Sequence, residues 1–129
     1  MEFKASHRYA PMSARKARPV VDMVRGMQVD HALEALTTTH RRASMLLNKV
    51  IRSAIANAAD RQAIESSELY IVRAIANEGP LKQGRMRWRP GAMGRIKPIR
   101  KRTSHLEVTL GLRPSGRSSS RRRSEASEE

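Results

Sequence analysis

The chain begins with an alternation of apolar and polar residues over positions 3–10. Successive side chains of a strand point to opposite faces of a sheet, so this pattern predicts a half-buried first strand. The inner face of this strand would carry Phe3, Ala5, His7 and Tyr9. The outer face would be basic, and would carry Lys4, Ser6 and Arg8.

The next segment has the apolar spacing of an α-helix that begins at a Ser13 cap and ends at Gly26. The stripe that would face the core consists of Ala17, Val20, Val21 and Val24. Pro19 would lie past the first turn, where a proline removes a backbone donor and clashes with the preceding turn. We therefore expect either a kink at Pro19 or a regular helix that starts near Pro19.

The residues that follow predict a short helix and then a long one. Asp30 is expected to cap the short helix, which ends at Thr37. Thr39 is expected to cap the long helix, which runs from His40 to about Asp60 and keeps its apolar residues at a 3.6-residue period.

Two further segments, residues 69–77 and 106–112, have the composition and alternation of strands. Between them, from Gly79 to Leu106, no residue is acidic and nine are Lys or Arg. The economical topology is one long antiparallel hairpin with its turn near Pro90–Gly91. The base of the hairpin would join the sheet, and its distal half would form an acid-free arm.

An arm of this kind would extend roughly 30 Å from the body, at ~3.3 Å per residue. A lone two-stranded ribbon is marginal in water, and the like charges along this one would weaken it further. We therefore expect the arm to be ordered by its partner.

The charge balance indicates what that partner is. The chain of 129 residues has 26 Lys and Arg against 12 Asp and Glu, which favours nucleic acid first and an anionic membrane second. The absence of cysteine excludes disulfides and Cys-based zinc sites, and it fits a reducing compartment. No apolar run approaches the ~18 residues that span a membrane, so we expect a cytoplasmic protein with no membrane partner.

Folded RNA suits the arm better than DNA does, because RNA displays loops and unstacked bases. Arginine binds phosphate and stacks on bases, and Trp88 could stack on an exposed base. The alternative for Trp88 is a surface aromatic that packs on neighbouring Arg stems. Duplex DNA usually meets a recognition helix, and no segment here has polar base-contacting residues on a helix.

The residues typical of enzymes and cofactor sites do not occur together in this sequence. The four histidines are scattered without metal-ligand spacing, and there is no glycine-rich phosphate loop. No two carboxylates are placed for acid–base catalysis. We therefore expect no enzymatic activity, no metal and no cofactor.

Four segments carry a family resemblance: S-A-R-K-A-R-P-V-V-D-M-V-R-G at 13–26, S-A-I-A-N-A at 53–58, N-E-G-P at 77–80 and K-R-T-S-H-L at 101–106. With them, the chain resembles bacterial large-subunit ribosomal protein number twenty-two, the universal exit-tunnel protein family. The resemblance implies an α+β fold, with three helices packed on a three-stranded antiparallel sheet and a long extended β-hairpin.

The resemblance also implies a structural role in the large ribosomal subunit. Family members bind 23S rRNA, contact several rRNA domains, aid early subunit assembly and line the peptide exit tunnel with the hairpin. The implied partners are 23S rRNA, neighbouring ribosomal proteins and the nascent peptide, with one copy per ribosome and no homo-oligomer. The alternative from the residues alone is a general nucleic-acid-binding, chromatin-like protein.

We expect a single domain over residues 1–112, with the hairpin at about 79–106. Residues 113–129 lack apolar periodicity, which predicts a disordered Ser/Arg/Glu tail. The expected rRNA-binding residues of the body are Arg8, Arg15, Lys16, Arg18 and Arg25. Those of the arm are Lys82, Arg85, Arg87, Trp88, Arg89, Arg95, Lys97, Arg100, Lys101, Arg102 and His105.

Overall fold

The computed structural model describes residues 1–112, and the predicted tail lies outside them. Within these residues the helices are α1 (Ala14–Val24), α2 (Val29–Thr38) and α3 (Arg42–Gln62). The strands are β1 (Glu2–Ala10), β2 (Leu69–Leu81), β3 (Arg87–Pro90), β4 (Ile96–Ile99) and β5 (Arg102–Leu112). The predicted α+β class, with three helices on a three-stranded antiparallel sheet and a long hairpin, is confirmed.

The body sheet has the order β1-β5-β2, and both pairs are antiparallel. The central residue Leu110 lies opposite Phe3 on one side and Ile71 on the other, and all three are buried. α3 packs on β1 and β5, while α1 packs on β2. The helices therefore cover one face of the sheet, where the apolar alternation of the three strands converges.

Proline does not break the first helix. α1 begins at Ala14 and continues through Pro19, so a start near Pro19 is wrong. Pro19 faces solvent, where water can satisfy the carbonyl that lacks its helical donor. The helix ends at Val24, before the predicted Gly26, whose φ of +81° turns the chain. The Gly26 N–H then donates to the Ile71 carbonyl at 3.0 Å, which joins the turn to β2.

The two predicted caps of the later helices are wrong. Asp30 lies inside the first turn of α2 and does not cap it. The Thr39 hydroxyl donates to the Ala35 carbonyl at 2.8 Å, so it serves the end of α2. Arg41 is the N-cap of α3, which starts at Arg42 and not at His40. The Thr39 side chain therefore bonds to the preceding helix, α2, instead of capping α3.

The first strand contains an irregularity that its alternation did not predict. The pairing of β1 with β5 shifts between His7 and Ala10, as in a β-bulge. Tyr9 was expected inside, but it has a φ of +59° and is 56% exposed. Ala10 is fully buried in its place.

The predicted hairpin is confirmed, but its base (β2 and β5) belongs to the three-stranded sheet, and its distal half (β3 and β4) is a separate two-stranded ribbon. Pairing of β2 with β5 extends to Leu81 opposite Arg102, which is farther than the predicted strand ends at 77 and 106. The ribbon resumes with Arg87 opposite Ile99. Between these two paired regions, the first side of the hairpin has five residues (82–86) and the second side has two (100 and 101). A left-handed Met93, with a φ of +57°, closes the distal turn beyond the predicted Pro90–Gly91 position.

Candidate nucleic-acid interface

The proposed RNA-binding residues are almost all at the surface. Every one of them is exposed except His105, which is partly buried. Among the described Lys and Arg residues, Arg25 is the one that forms an ion pair with a carboxylate. The remaining cations in residues 1–112 are therefore not neutralised by an Asp or Glu of the described chain.

The distal ribbon has two chemically different faces. Cross-strand partners share a face, and the pairs of β3 with β4 alternate between basic and apolar side chains. One face carries Arg87, Arg89, Lys97 and Ile99, and we call it the basic face. The other carries Trp88, Pro90, Ile96 and Pro98, and we call it the apolar face. Trp88 is 61% exposed and Ile96 is 64% exposed, so the apolar face is uncovered within the described chain.

The end of the arm continues the basic face. The Gly91 N–H donates to the Arg95 carbonyl at 2.7 Å, which extends the ladder by one pair. A Cβ at Gly91 would lie 3.2 Å from both Cγ and Cε of Lys97, so glycine makes room for the lysine stem. Strand alternation then places Arg95 on the same face as Lys97.

The base of the arm is fixed to the body. The Lys82 N–H donates to the Lys101 carbonyl at 2.7 Å, and the Thr103 hydroxyl donates to the Pro80 carbonyl. A Cβ at Gly79 would lie 2.6 Å from the Thr103 Oγ1, so a larger residue would not fit without movement. These contacts position the start of the arm on the sheet.

The side chains of two of the proposed residues form hydrogen bonds within the protein. The Arg25 Nη2 donates to the Ala74 carbonyl at 2.8 Å, and its Nη1 lies 2.9 Å from the Asp22 Oδ1. The His105 Nδ1 accepts the Tyr9 N–H at 3.0 Å. Arg25 therefore ties the end of α1 to β2, and His105 holds the bulge of β1. Neither contact could be predicted from the local pattern of residues.

Arg8 lies beside this bulge. Its guanidinium carbon is 5.5 Å from the centre of the Tyr9 ring, and the Tyr9 ring meets His105 edge-on at 5.0 Å. A Cβ at Gly79 would be 3.3 Å from the His105 ring. The row formed by Arg8, Tyr9 and His105 therefore adjoins the base of the arm. The structure thus brings Arg8 and His105 together.

Four exposed cations at the start and along the first half of α3 were not among the proposed residues: Arg41, Arg42, Lys49 and Arg52. Arg41 and Arg42 share a groove with Arg15 and Lys16 of α1. The signal in the sequence was a set of basic residues at helical spacing with no acidic residue among them.

Residues 1–112 contain neither a membrane-spanning helix nor a cluster of metal-ligating side chains. No helix there is long and apolar enough to cross a membrane. No group of three or more His, Cys, Asp or Glu side chains in that range could hold a metal ion.

Comparison with known proteins gives a consistent result over almost the whole described chain. The family model "Ribosomal protein L22p/L17e" matches residues 5–111. A relative in Clostridioides difficile (strain 630), named large ribosomal subunit protein uL22, is 46% identical over 110 residues, covering 85% of this chain and 96% of the relative. Relatives of the same name are 44% identical in Thermoanaerobacter sp. (strain X514), with the same coverage, and 40% identical in Carboxydothermus hydrogenoformans, over 90% of this chain and all of the relative.

Proposed function

Because the chain belongs to the ribosomal protein L22p/L17e family, we propose that it is a structural constituent of the large ribosomal subunit. Membership of this family makes it a ribosomal component of the cytoplasm rather than an enzyme. Its partners are then large-subunit rRNA and the neighbouring ribosomal proteins.

The finer role that we propose is binding of 23S rRNA by both the body and the arm. The protein contacts several rRNA domains and aids early assembly, and its arm lines the exit tunnel beside the nascent peptide, with one copy of the protein in each ribosome. The observation that carries this proposal is the acid-free arm with its basic face and its apolar face. A loop that only contacts solvent would need neither a run of cations without acidic residues nor the separation of basic and apolar side chains onto opposite faces.

The mechanism is electrostatic. Cations of the basic face neutralise RNA phosphates, and the release of condensed counterions favours the complex. Arg87 and Arg89 alternate with Trp88 along β3, so Trp88 lies on the opposite face from both arginines. On that face the indole can stack on an unstacked base, which is a sequence-tolerant contact.

The body adds a second group of contacts. Arg15, Lys16 and Arg18 are exposed on α1, and Arg8 is exposed on β1 beside the arm. Since the base of the arm is hydrogen-bonded to the sheet, the body fixes the direction in which the arm leaves. We propose a single domain over residues 1–112 for this reason.

A competition experiment separates this function from that of a general nucleic-acid binder. Labelled 23S rRNA bound to the full chain is challenged with unlabelled rRNA or with duplex DNA at equal nucleotide concentration. We expect rRNA to compete at least tenfold better, and the chain to co-sediment with large subunits. Equal competition by duplex DNA, together with no co-sedimentation, would favour the chromatin-like alternative.

A further inference from the structure

Two basic pockets adjoin the start of α3 and share Arg41 and Arg42, and we call them together the basic groove. Its upper part is lined by Met12, Arg15, Lys16, Pro19, Arg41, Arg42 and Ala43. Its lower part has a volume of about 600 Å³ and shares Arg41 and Arg42 with the upper part. The lower part continues along α3 past His40, Asn48, Lys49 and Arg52. No carboxylate lines either part.

The start of α3 adds positive character to the groove. α3 is 21 residues long, no side chain caps its first turn, and no acidic residue lies in that turn. The first N–H groups of a helix lack partners within the helix, and they form the positive end of its dipole. The residue at the N-cap usually has a side-chain oxygen that accepts one of these N–H groups, and Arg41 has none.

An independent observation on the groove wall also points to a ligand that accepts a hydrogen bond. Three buried hydroxyls in residues 1–112 have no hydrogen-bond partner, those of Ser44, Ser104 and Thr109. Of these, Ser44 lines the lower part of the groove, and it is only 2% exposed. Leaving a buried hydroxyl without a partner is unfavourable, so such groups are rare in folded proteins. An anionic oxygen at the first turn of α3 would supply the acceptor.

The dimensions and chemistry of the groove fit a nucleic-acid strand better than a single ion. From Arg41 to Arg52 the helix rises roughly 16 Å, at ~1.5 Å per residue. The Arg52 Nε donates to the Asn48 Oδ1 at 2.7 Å, which fixes the guanidinium and leaves its other donors for a phosphate. Met45, 68% exposed between these cations, offers a flexible apolar contact to a sugar or base.

We propose that this groove binds the phosphodiester backbone of an RNA strand, with one phosphate at the first turn of α3. The site deepens the proposed function and rests on it. It gives the body a phosphate contact on α1 and α3 in addition to those of the arm, and Arg15 also lines the pocket at the base of the arm.

The test uses a substitution whose effects on stability and on binding have opposite signs. Arg42→Glu puts a carboxylate at the first position of α3, where the helix dipole favours it, and also places that carboxylate in the groove. Arg61→Glu is the matched control, because it makes the same charge change in the last turn of α3, away from the groove. Both full chains are compared with wild type by thermal unfolding and by hydroxyl-radical footprinting on 23S rRNA.

We expect Arg42→Glu to unfold at or above the wild-type temperature and to lose protection of one rRNA segment while the other footprints persist. Its salt slope should fall by about one, the value for one phosphate contact. Equal loss of affinity in the two variants would overturn the groove site. So would displacement of the rRNA from the groove by a poly-Glu peptide at matched charge concentration, which would indicate an acidic protein partner. A wild-type chain that protects no rRNA segment would instead contradict the proposed function, and the groove with it.

Discussion

Removal of the arm is expected to cause the largest loss of rRNA affinity of any change to this chain. Lys82 and Lys101 face each other through a backbone hydrogen bond, so an Asn-Gly turn in place of residues 83–100 can close the hairpin there. The replacement removes six cations. At ~0.7–0.9 units per neutralised phosphate, the slope of log affinity against log salt should fall by up to about five.

The matched control keeps every cation and changes only the apolar face. Trp88→Ala with Ile96→Ala should leave the salt slope unchanged, while loss of stacking costs about 1–3 kcal/mol of binding. Filter binding of 23S rRNA at several salt concentrations measures both quantities. A shortened chain that unfolds within a few degrees of wild type and keeps the wild-type slope would show that the arm does not contact phosphates.

Leu106→Ala is expected to cause the largest loss of stability from a single substitution. Leu106 is fully buried in the central strand, opposite His7 of β1 and Ala76 of β2. A cavity at such a position destabilises a protein by about 2–5 kcal/mol, since close-packed neighbours relax only partly. Urea unfolding monitored by circular dichroism measures the change in the free energy of unfolding.

Leu112→Ala provides the control for this prediction in the same strand. Leu112 is 42% exposed, so the same substitution should cost less than about 1 kcal/mol. Equal effects of the two substitutions would mean that the helices do not pack on β5 as described.

The elements that could be predicted from the sequence are those with a strong local period. The apolar stripe of α1 and the alternation around Leu106 each define one buried face, and burial of that face leaves few alternatives. The acid-free run between two strands predicted the hairpin, because like charges without acids do not build a core.

The features that could not be predicted depend on contacts between distant residues. Tyr9 leaves the inner face because His105, far along the chain, accepts its N–H at a bulge. Arg25 has the composition of an RNA contact, yet its guanidinium hydrogen-bonds to the Ala74 carbonyl of β2. The spacing of residues within one segment does not indicate which distant strand or backbone carbonyl will lie next to that segment in the fold.

The separation of the arm into two faces followed only from its register. Local patterns along the chain did not determine whether Arg87 would pair with Ile99 or with a neighbouring residue. A shift of one residue would exchange the face on which each β3 side chain lies, and it would place Trp88 among the cations. The register of these four pairs therefore determines which side chains lie on the basic face and which lie on the apolar face.

The most direct test of the central claim is a map of this chain within the intact large ribosomal subunit. The account predicts that Arg87, Arg89 and Lys97 lie within hydrogen-bonding distance of 23S rRNA phosphates. It also predicts that Trp88 and Ile96 point away from those phosphates, towards a base or the tunnel lumen. An arm that lies in solvent on the outside of the subunit, with its basic face free of RNA, would contradict it.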